Sequence, residues 1–288
     1  MATLRDIQKR INSVKSTRQI TKAMKMVAAA RLRKAQLQAE QMRPYSEKMS
    51  EMLASLSAAA TGELAHPYFE KRDVKKQTLV LLTSDRGLCG SFNTNLIRTA
   101  TAWLKERDPE KVELVCVGKR GYLWFRRRDW RIVHSYNDFN AQMDFPMVRD
   151  MVGYLTNRFV TGGTDEIYLL YSKFISTAKC EVTLEKYLNI ERPESGESEG
   201  AGDNYIFEPD PNAIYEALLP RYALIKAQSA LADNFASEHA TRMMAMTMAT
   251  NNAGEMIDML TLQFNKARQA AITTEILEVV SGAEALKG

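Results

Sequence analysis

The stretch LRDIQKRINSVKSTRQITKAMKMVAAARLRKAQLQAEQMRPYSEKMSEMLASL, from Leu4 to Leu56, contains no glycine and a single proline, Pro44. Steps of three and four place Leu4, Ile7, Ile11, Val14, Arg18, Thr21, Lys25 and Ala28 on one stripe. Leu32, Ala35, Ala39, Met42, Ser46, Met49, Leu53 and Leu56 continue it. Twelve of those sixteen residues are apolar and the repeat keeps its phase, which is the period of a coiled-coil seam. The polar breaks gather at Arg18, Thr21 and Lys25. At about 1.5 Å per residue such a helix runs to roughly 80 Å. Pro44 removes one donor and crowds the preceding turn, so a kink or a local break in bonding is expected there.

A seam needs a partner, and the other end of the chain offers one. After EPDP (Glu208 to Pro211), where Asp210 can cap and Pro211 can fill the first turn, residues Asn212 to Leu286 are almost all helix-forming. Apolar residues recur at Ile214, Leu218, Ile225, Ala232, Phe235, Met246, Met256, Leu260 and Leu277. Pro220 lies inside this helix and predicts a second kink, since proline in a helix interior costs about 3 kcal/mol. About 75 residues give a length on the order of 110 Å. Two terminal helices flanking one domain pair most simply antiparallel. With Leu56 near Ile214, the amino terminus then reaches only to Phe264 or Lys266. Beyond that point QAAITTEILEVVSGAEAL (Gln269 to Leu286) is apolar on more than one face. It either folds back on the central domain or needs a sleeve supplied by other proteins.

Between the helices the pattern changes. Gln77 to Ser84, Val112 to Gly118, Trp130 to Tyr136 and Glu166 to Ser172 read as strands, and Ala178 to Ile190 can add another. Helix-like segments at Asn93 to Arg107, Arg120 to Arg127 and Met143 to Phe159 alternate with them, which predicts an α/β domain with at least partly parallel pairing. Glu191 to Asn204 is a polar, glycine-rich loop. The division expected is 1–60 for the first coiled-coil helix, 75–208 for the α/β domain and 209–288 for the second coiled-coil helix.

Composition narrows the function. The net charge is +4, but residues 1–50 carry twelve Lys or Arg against Asp6, Glu40 and Glu47, while the segment from Asp210 onward is net acidic. The basic segment either meets an acidic surface or is a solvated helix face. The amino terminus has no apolar core behind its basic residues, so a signal peptide is not expected, and no run is long enough to span a membrane. Cys89, Cys116 and Cys180 are scattered and odd in number, which argues against a disulfide framework. Neither histidine–cysteine spacing for zinc nor a nucleophile–base arrangement stands out.

Three motifs carry a resemblance that covers nearly the whole chain: STRQITKAMKMVAAARLRKAQ (Ser16 to Gln36), SDRGLCGSFN (Ser84 to Asn93) and ITTEILEVVSGAEA (Ile272 to Ala285). In order and at this length they resemble the gamma subunits of F-type ATP synthases, the rotor-shaft family. The resemblance implies an antiparallel coiled coil of the terminal helices plus a central Rossmann-like α/β domain. The coil would turn inside a hexamer of alpha and beta subunits, and the domain would meet the epsilon subunit and the c-ring of a proton-translocating complex. It implies a non-catalytic subunit without a cofactor, peripheral to the cytoplasmic face of a bacterial cell membrane and reaching the membrane only through the complex. Met24 and Lys25 match a stretch that approaches an acidic loop of beta. Arg242, Gln269, Thr273, Glu275 and Glu278 match positions that contact the hexamer. Tyr205, Phe207 and Glu208 match the foot near the c-ring. The family's plant-type redox insertion, with its paired cysteines, is absent.

Rival readings rest on single features. SDRGLCG follows a strand as phosphate loops do, but it lacks the Gly-Lys-Ser/Thr ending and GxGxxG spacing; Gly87 and Gly90 are expected to permit a tight turn into the next helix. Met243, Met244, Met246 and Met248 read as adaptable packing. A nucleic-acid-binding coiled coil would need base-reading or stacking side chains, which the first helix lacks apart from Tyr45.

Overall fold

The computed structural model describes residues 3–59, 66–69, 72–190 and 211–285. Its elements are α1 (Leu4–Ala59), β1 (Gln77–Leu82), α2 (Phe92–Lys105), β2 (Val112–Val117), α3 (Lys119–Phe125), β3 (Ile132–Tyr136), α4 (Phe145–Val160), β4 (Glu166–Phe174), β5 (Cys180–Leu188) and α5 (Pro211–Ala285). Short 3-10 turns lie at Pro67–Phe69 and Arg126–Arg128. All five expected strands and all five expected helices are present, with ends that shift by a few residues. Helical bonding continues through Pro44 and Pro220. Both prolines face solvent, where water can take up the carbonyl that each ring leaves without a donor.

The chain divides into two compact units, residues 1–27 with 243–288, and residues 28–242. The first unit is an antiparallel helix pair. Ile7, Ile11 and Leu260 are buried together with Val14, Phe264 and Ala267 packed against them. Further along, the seam turns polar, and it is bonded rather than open. The Thr250 hydroxyl donates to Thr21 Oγ1 at 2.8 Å, and the Thr21 hydroxyl donates to the Arg18 carbonyl at 3.1 Å. Arg18 lies over Gly254, where a side chain would meet its guanidinium. The expected polar break is therefore a packed site with its own donors and acceptors.

The second unit holds the α/β domain with the remainder of both long helices. Its sheet has the order β3-β2-β1-β4-β5. β1 pairs in parallel with β2 and β4, and β2 with β3, whereas β5 returns antiparallel to β4. Beyond Thr78 and Glu113, strands β1 and β2 are apolar on both faces because helices cover both. On one side, Leu79, Leu81, Leu114 and Cys116 pack under α2 residues Leu96, Ala100 and Leu104. On the other, Val80, Leu82, Val115 and Val117 meet α4 residues Val148, Met151, Val152 and Leu155, and the same core takes in Leu53 of α1 and Leu219, Ala223, Leu231 and Phe235 of α5. The seam of α1 continues here, with Ala28, Leu32, Ala35, Ala39, Met49 and Leu53 all buried.

One turn depends on glycine. At Gly118, between β2 and α3, φ is +95°, and an added Cβ would strike the Thr83 carbonyl. Gly118→Ala should therefore lower the stability of the chain by at least ~2 kcal/mol, the cost of a side chain held at positive φ plus the clash. Gly153, exposed in mid-α4 with open space around it, gives the opposite expectation: Gly153→Ala should stabilise by about 0.5–1 kcal/mol. Urea denaturation of the two variants against the parent checks both signs.

Candidate functional site

The strand order reverses between β1 and β4, and in open α/β sheets ligands enter the crevice at the carboxyl ends of the strands at such a point. Here helix α5 occupies it. Residues Leu231 to Ala240 are buried without exception, although they include Asp233, Asn234, Ser237, Glu238 and His239. Burying polar side chains on a helix costs free energy, which hydrogen bonds to the sheet offset. Asn234 Oδ1 accepts from the Ser172 amide at 3.0 Å, and the Ser237 hydroxyl donates to the Ser172 carbonyl at 2.9 Å. Two side chains thus satisfy both backbone groups of one β4 residue, as a neighbouring strand would. Ala227, Ala230, Ala232, Ala236 and Ala240, all buried, let the helix backbone come this close.

The loops after the strands close around the same helix. Asp85, after β1, accepts the amides of Lys119 and Asp138 at 3.1 Å each and that of Asn140 at 2.9 Å, so one carboxylate ties the loops after β1, β2 and β3 together. The Asn93 side chain accepts from the Ser84 amide and donates to Ser84 Oγ, which fixes the turn into α2. Gly90 takes φ +58° as the turn requires, and Leu88 beside it takes +62°. With Ser84 and Asp85 committed to this turn and the crevice filled, SDRGLCG is a structural corner. Cys89 is buried in it, and burial pushes its thiol above the ordinary range, as it pushes Cys116 up to about 12. Neither is an activated thiolate.

Arg242 and Glu238 complete the seat. Arg242 Nη2 donates to Glu238 Oε1 at 2.8 Å and to the Gly87 carbonyl at 3.3 Å. The side chains are 13% and 4% exposed, so this is a mostly buried pair. Burial raises the Glu238 carboxyl above its ordinary value, and the Arg242 cation opposes that. His239 donates from Nε2 to the Ala141 carbonyl at 3.1 Å, and burial lowers its pKa to about 4, so it is held neutral.

The expected site residues fall into separate places. Met24 and Lys25 are half-buried on α1. Gln269, Thr273, Glu275 and Glu278 are exposed on the last turns of α5. Around them Ile272, Ile276, Leu277, Val279 and Val280 are 46–71% exposed, so among the described residues nothing covers the apolar end beyond Ala267. Arg242 lies at the corner after β1, on the Gly87 carbonyl. Tyr205, Phe207 and Glu208 lie outside the described residues. Sequence reading missed the buried polar belt of α5; its signal was a run of polar residues spaced among alanines in an otherwise apolar helix.

Two measurements probe the seat. Arg242→Ala should cost about 3 kcal/mol at neutral pH by leaving Glu238 buried without its cation. Adding Glu238→Gln should restore most of that, and the loss should shrink as acid neutralises the carboxylate. His239, with a folded pKa of about 4 against 6.5 for the free side chain, contributes stability that is present above pH 6.5 and lost as pH falls toward 4, up to about 3 kcal/mol. Glu238 acts with the opposite sign, so the difference between parent and His239→Gln in urea titrations from pH 7 to 4.5 isolates the histidine.

Comparison with known proteins gives this architecture a family. A family model described as ATP synthase matches residues 3–286. The ATP synthase gamma chain of Moorella thermoacetica is 47% identical over 287 residues, and that of Prosthecochloris aestuarii 44% over 294, each pairing covering all of both chains. Among solved structures, a chain of the Euglena gracilis mitochondrial ATP synthase assembly of OSCP, F1 and c-ring shares the fold at a TM-score of 0.70. Its identity is 20%, and the match covers 98% of this chain and 94% of that one. A chain of the Tetrahymena thermophila central stalk and c-ring matches at a TM-score of 0.61 and 24% identity, over 80% and 99% of the two chains. Matched from end to end by relatives at this identity, the chain belongs to the ATP synthase gamma chain family.

Proposed function

We propose that the chain is the central rotor shaft of a proton-translocating F-type ATP synthase. In this reading it is a non-catalytic subunit that couples c-ring rotation to conformational cycling of the beta catalytic sites. The observation that carries the reading is the apolar end of α5, where Ile272, Ile276, Leu277, Val279 and Val280 stand open to solvent. A surface of that kind calls for a sleeve, and in a gamma chain the sleeve is the hexamer of alpha and beta subunits. The chain works in three parts: the terminal helices of 1–60 and 209–288, and the α/β domain of 75–208, which meets epsilon and the c-ring. No helix among the described residues is long and apolar enough to cross a membrane. The shaft reaches the membrane through the complex, at the cytoplasmic face of a bacterial cell.

The mechanism follows from differential contact. A ligand shifts a conformational equilibrium only by as much as it favours one state over another. Each beta subunit faces a different side of an asymmetric shaft, so rotation changes which state is favoured at each site in turn. Gln269, Thr273, Glu275 and Glu278 are the polar contacts of the axle end, and Met24 and Lys25 face an acidic loop of beta lower on α1. Tyr205, Phe207 and Glu208 are the residues assigned to contact with the c-ring. Arg242 contributes chiefly through its grip on Glu238 and Gly87, which holds α5 at a fixed angle on the domain.

The tip gives the sharpest test. Ile276→Asp with Val280→Asp places two charges where the sleeve must be apolar, while the exposed positions leave the isolated chain free to fold. Thermal melting of the chain should be unchanged, and recovery of alpha and beta subunits in co-purification from native membranes should fall by roughly tenfold or more. Full recovery with normal ATP turnover would show that the tip needs no sleeve and would remove the main support for a shaft.

A further inference from the structure

Beyond the shaft reading, the α/β domain carries a second open surface, over α2 and α3. Helices α2 and α3, with the corner Gly87 to Gly90, enclose a groove of about 1230 Å³. Its floor includes Leu88, Ile97, Leu123 and Trp124, and three of these are open to solvent: Leu88 at 64%, Leu123 at 48% and Trp124 at 41%. Its rims are basic. Arg98 and Lys105 come from α2, and Arg120, Arg127 and Arg128 from α3 and the turn after it. The lining contains no carboxylate, and none of these five cations has an ion-pair partner among the described residues. Arg128 instead lies over the Trp124 ring at 3.6 Å.

Unpaired cations beside exposed apolar side chains are not what a solvated face needs. A solvated basic helix face intersperses acids, and an apolar strip costs free energy wherever water reaches it. The spacing is also specific. Arg98 and Lys105 are seven residues apart on α2, and Arg120 and Arg127 are seven apart on the other rim. On α2 seven residues is two helical turns, about 10 Å, and on the other rim the spacing runs through α3 into the 3-10 turn that follows it. A lone phosphate is too small to bridge two cations that stand two helical turns apart. A helix laid in the groove, with carboxylates two turns apart on its flanks and leucine-like residues below, engages all of them.

We propose that the α2–α3 groove docks an acidic amphipathic helix of another protein. Its apolar face rests on Leu88, Leu123 and Trp124, and its carboxylates pair with Arg98, Lys105, Arg120 and Arg127. The consequence for a rotating shaft is plain. An occupant that turns with the shaft adds a rigid accessory, and one anchored to a stationary subunit is a brake.

The test uses the full chain and an 18-residue helical peptide with leucines on one face and glutamates on the flanks, titrated calorimetrically at low and physiological salt. Saturable one-to-one binding that weakens with salt is expected, and the double variant Arg98→Glu/Arg127→Glu should weaken it by roughly tenfold or more. The far-ultraviolet circular dichroism of that variant, whose sites are both exposed, should match the parent. A scrambled peptide of the same composition should not bind. Equal binding by the scrambled peptide, or undiminished binding by the double variant, would overturn the proposal. The second outcome would move the peptide to the apolar end of α5 or the basic first helix. Competitive displacement by inorganic pyrophosphate or a short DNA duplex at lower concentration than the peptide would also overturn it, in favour of a phosphate ligand. Loss of the tip interaction in the Ile276→Asp/Val280→Asp chain leaves this titration unaffected, so the two readings fail separately.

Discussion

The backbone of Ser172 is bonded on both sides by one helix: its amide to Asn234 and its carbonyl to Ser237. Those contacts set the angle of α5 about its own axis. A helix turns 100° per residue, so a slip of one residue would swing Asn234, Ser237, Glu238 and His239 away from their partners. Each buried polar group left alone would cost about 1–3 kcal/mol. An apolar interface fixes such a slip by shape alone, whereas these bonds also require each donor to face its acceptor. The polar belt therefore makes the seating of α5 a single state. In the proposed shaft, that is the difference between a helix that spins in its socket and one that carries the domain round with it.

The same belt accounts for a Rossmann-like sheet whose switch point, among the described residues, is already filled. The crevice is present in the topology, but the side chains that fill it come from α5, and Asp85 commits its carboxylate to three loop amides. A nucleotide would have to displace a buried ion pair and the hydrogen bonds of Asn234 and Ser237 to enter. The fold has kept its frame and exchanged a binding pocket for a joint.

Much of this was legible in the residues. The coiled-coil stripe of α1 was, because a period of 3.5 sustained over many turns belongs to few structures besides a helix pair, and its buried positions match the stripe from Ile7 to Leu53. The strands of the sheet were, because branched residues buried on both faces leave a continuous apolar run. The limit of pairing near Phe264 followed from helix lengths alone. The Arg242–Glu238 pair was not, since an i,i+4 pair of opposite charge looks the same on a solvated helix as on a buried one. Only the corner at Gly87, 155 residues away in sequence, makes it internal. Asp85 was equally silent: a carboxylate that collects amides from three loops leaves no local pattern. The groove of α2 and α3 needed the fold to bring Arg98 opposite Arg127.

The uncovered end of α5 poses a last physical question, which is why it is a helix at all. A free peptide of that length is marginal in water, because the first turn fixes several residues for one hydrogen bond. Here the turn is already made: the segment beyond Ala267 continues a helix nucleated against Ile7 and Ile11, so each further residue adds only the small propagation term. Thr273, Thr274 and Gly282 are the residues in it that weaken that term most. Ile272, Ile276 and Val279 form one stripe, and Leu277 and Val280 widen it beyond the seam that one partner helix would cover. A single neighbour would leave half of these side chains wet, whereas a ring of neighbours would bury all of them at any angle of rotation. An axle end has to meet that requirement, and a lever does not.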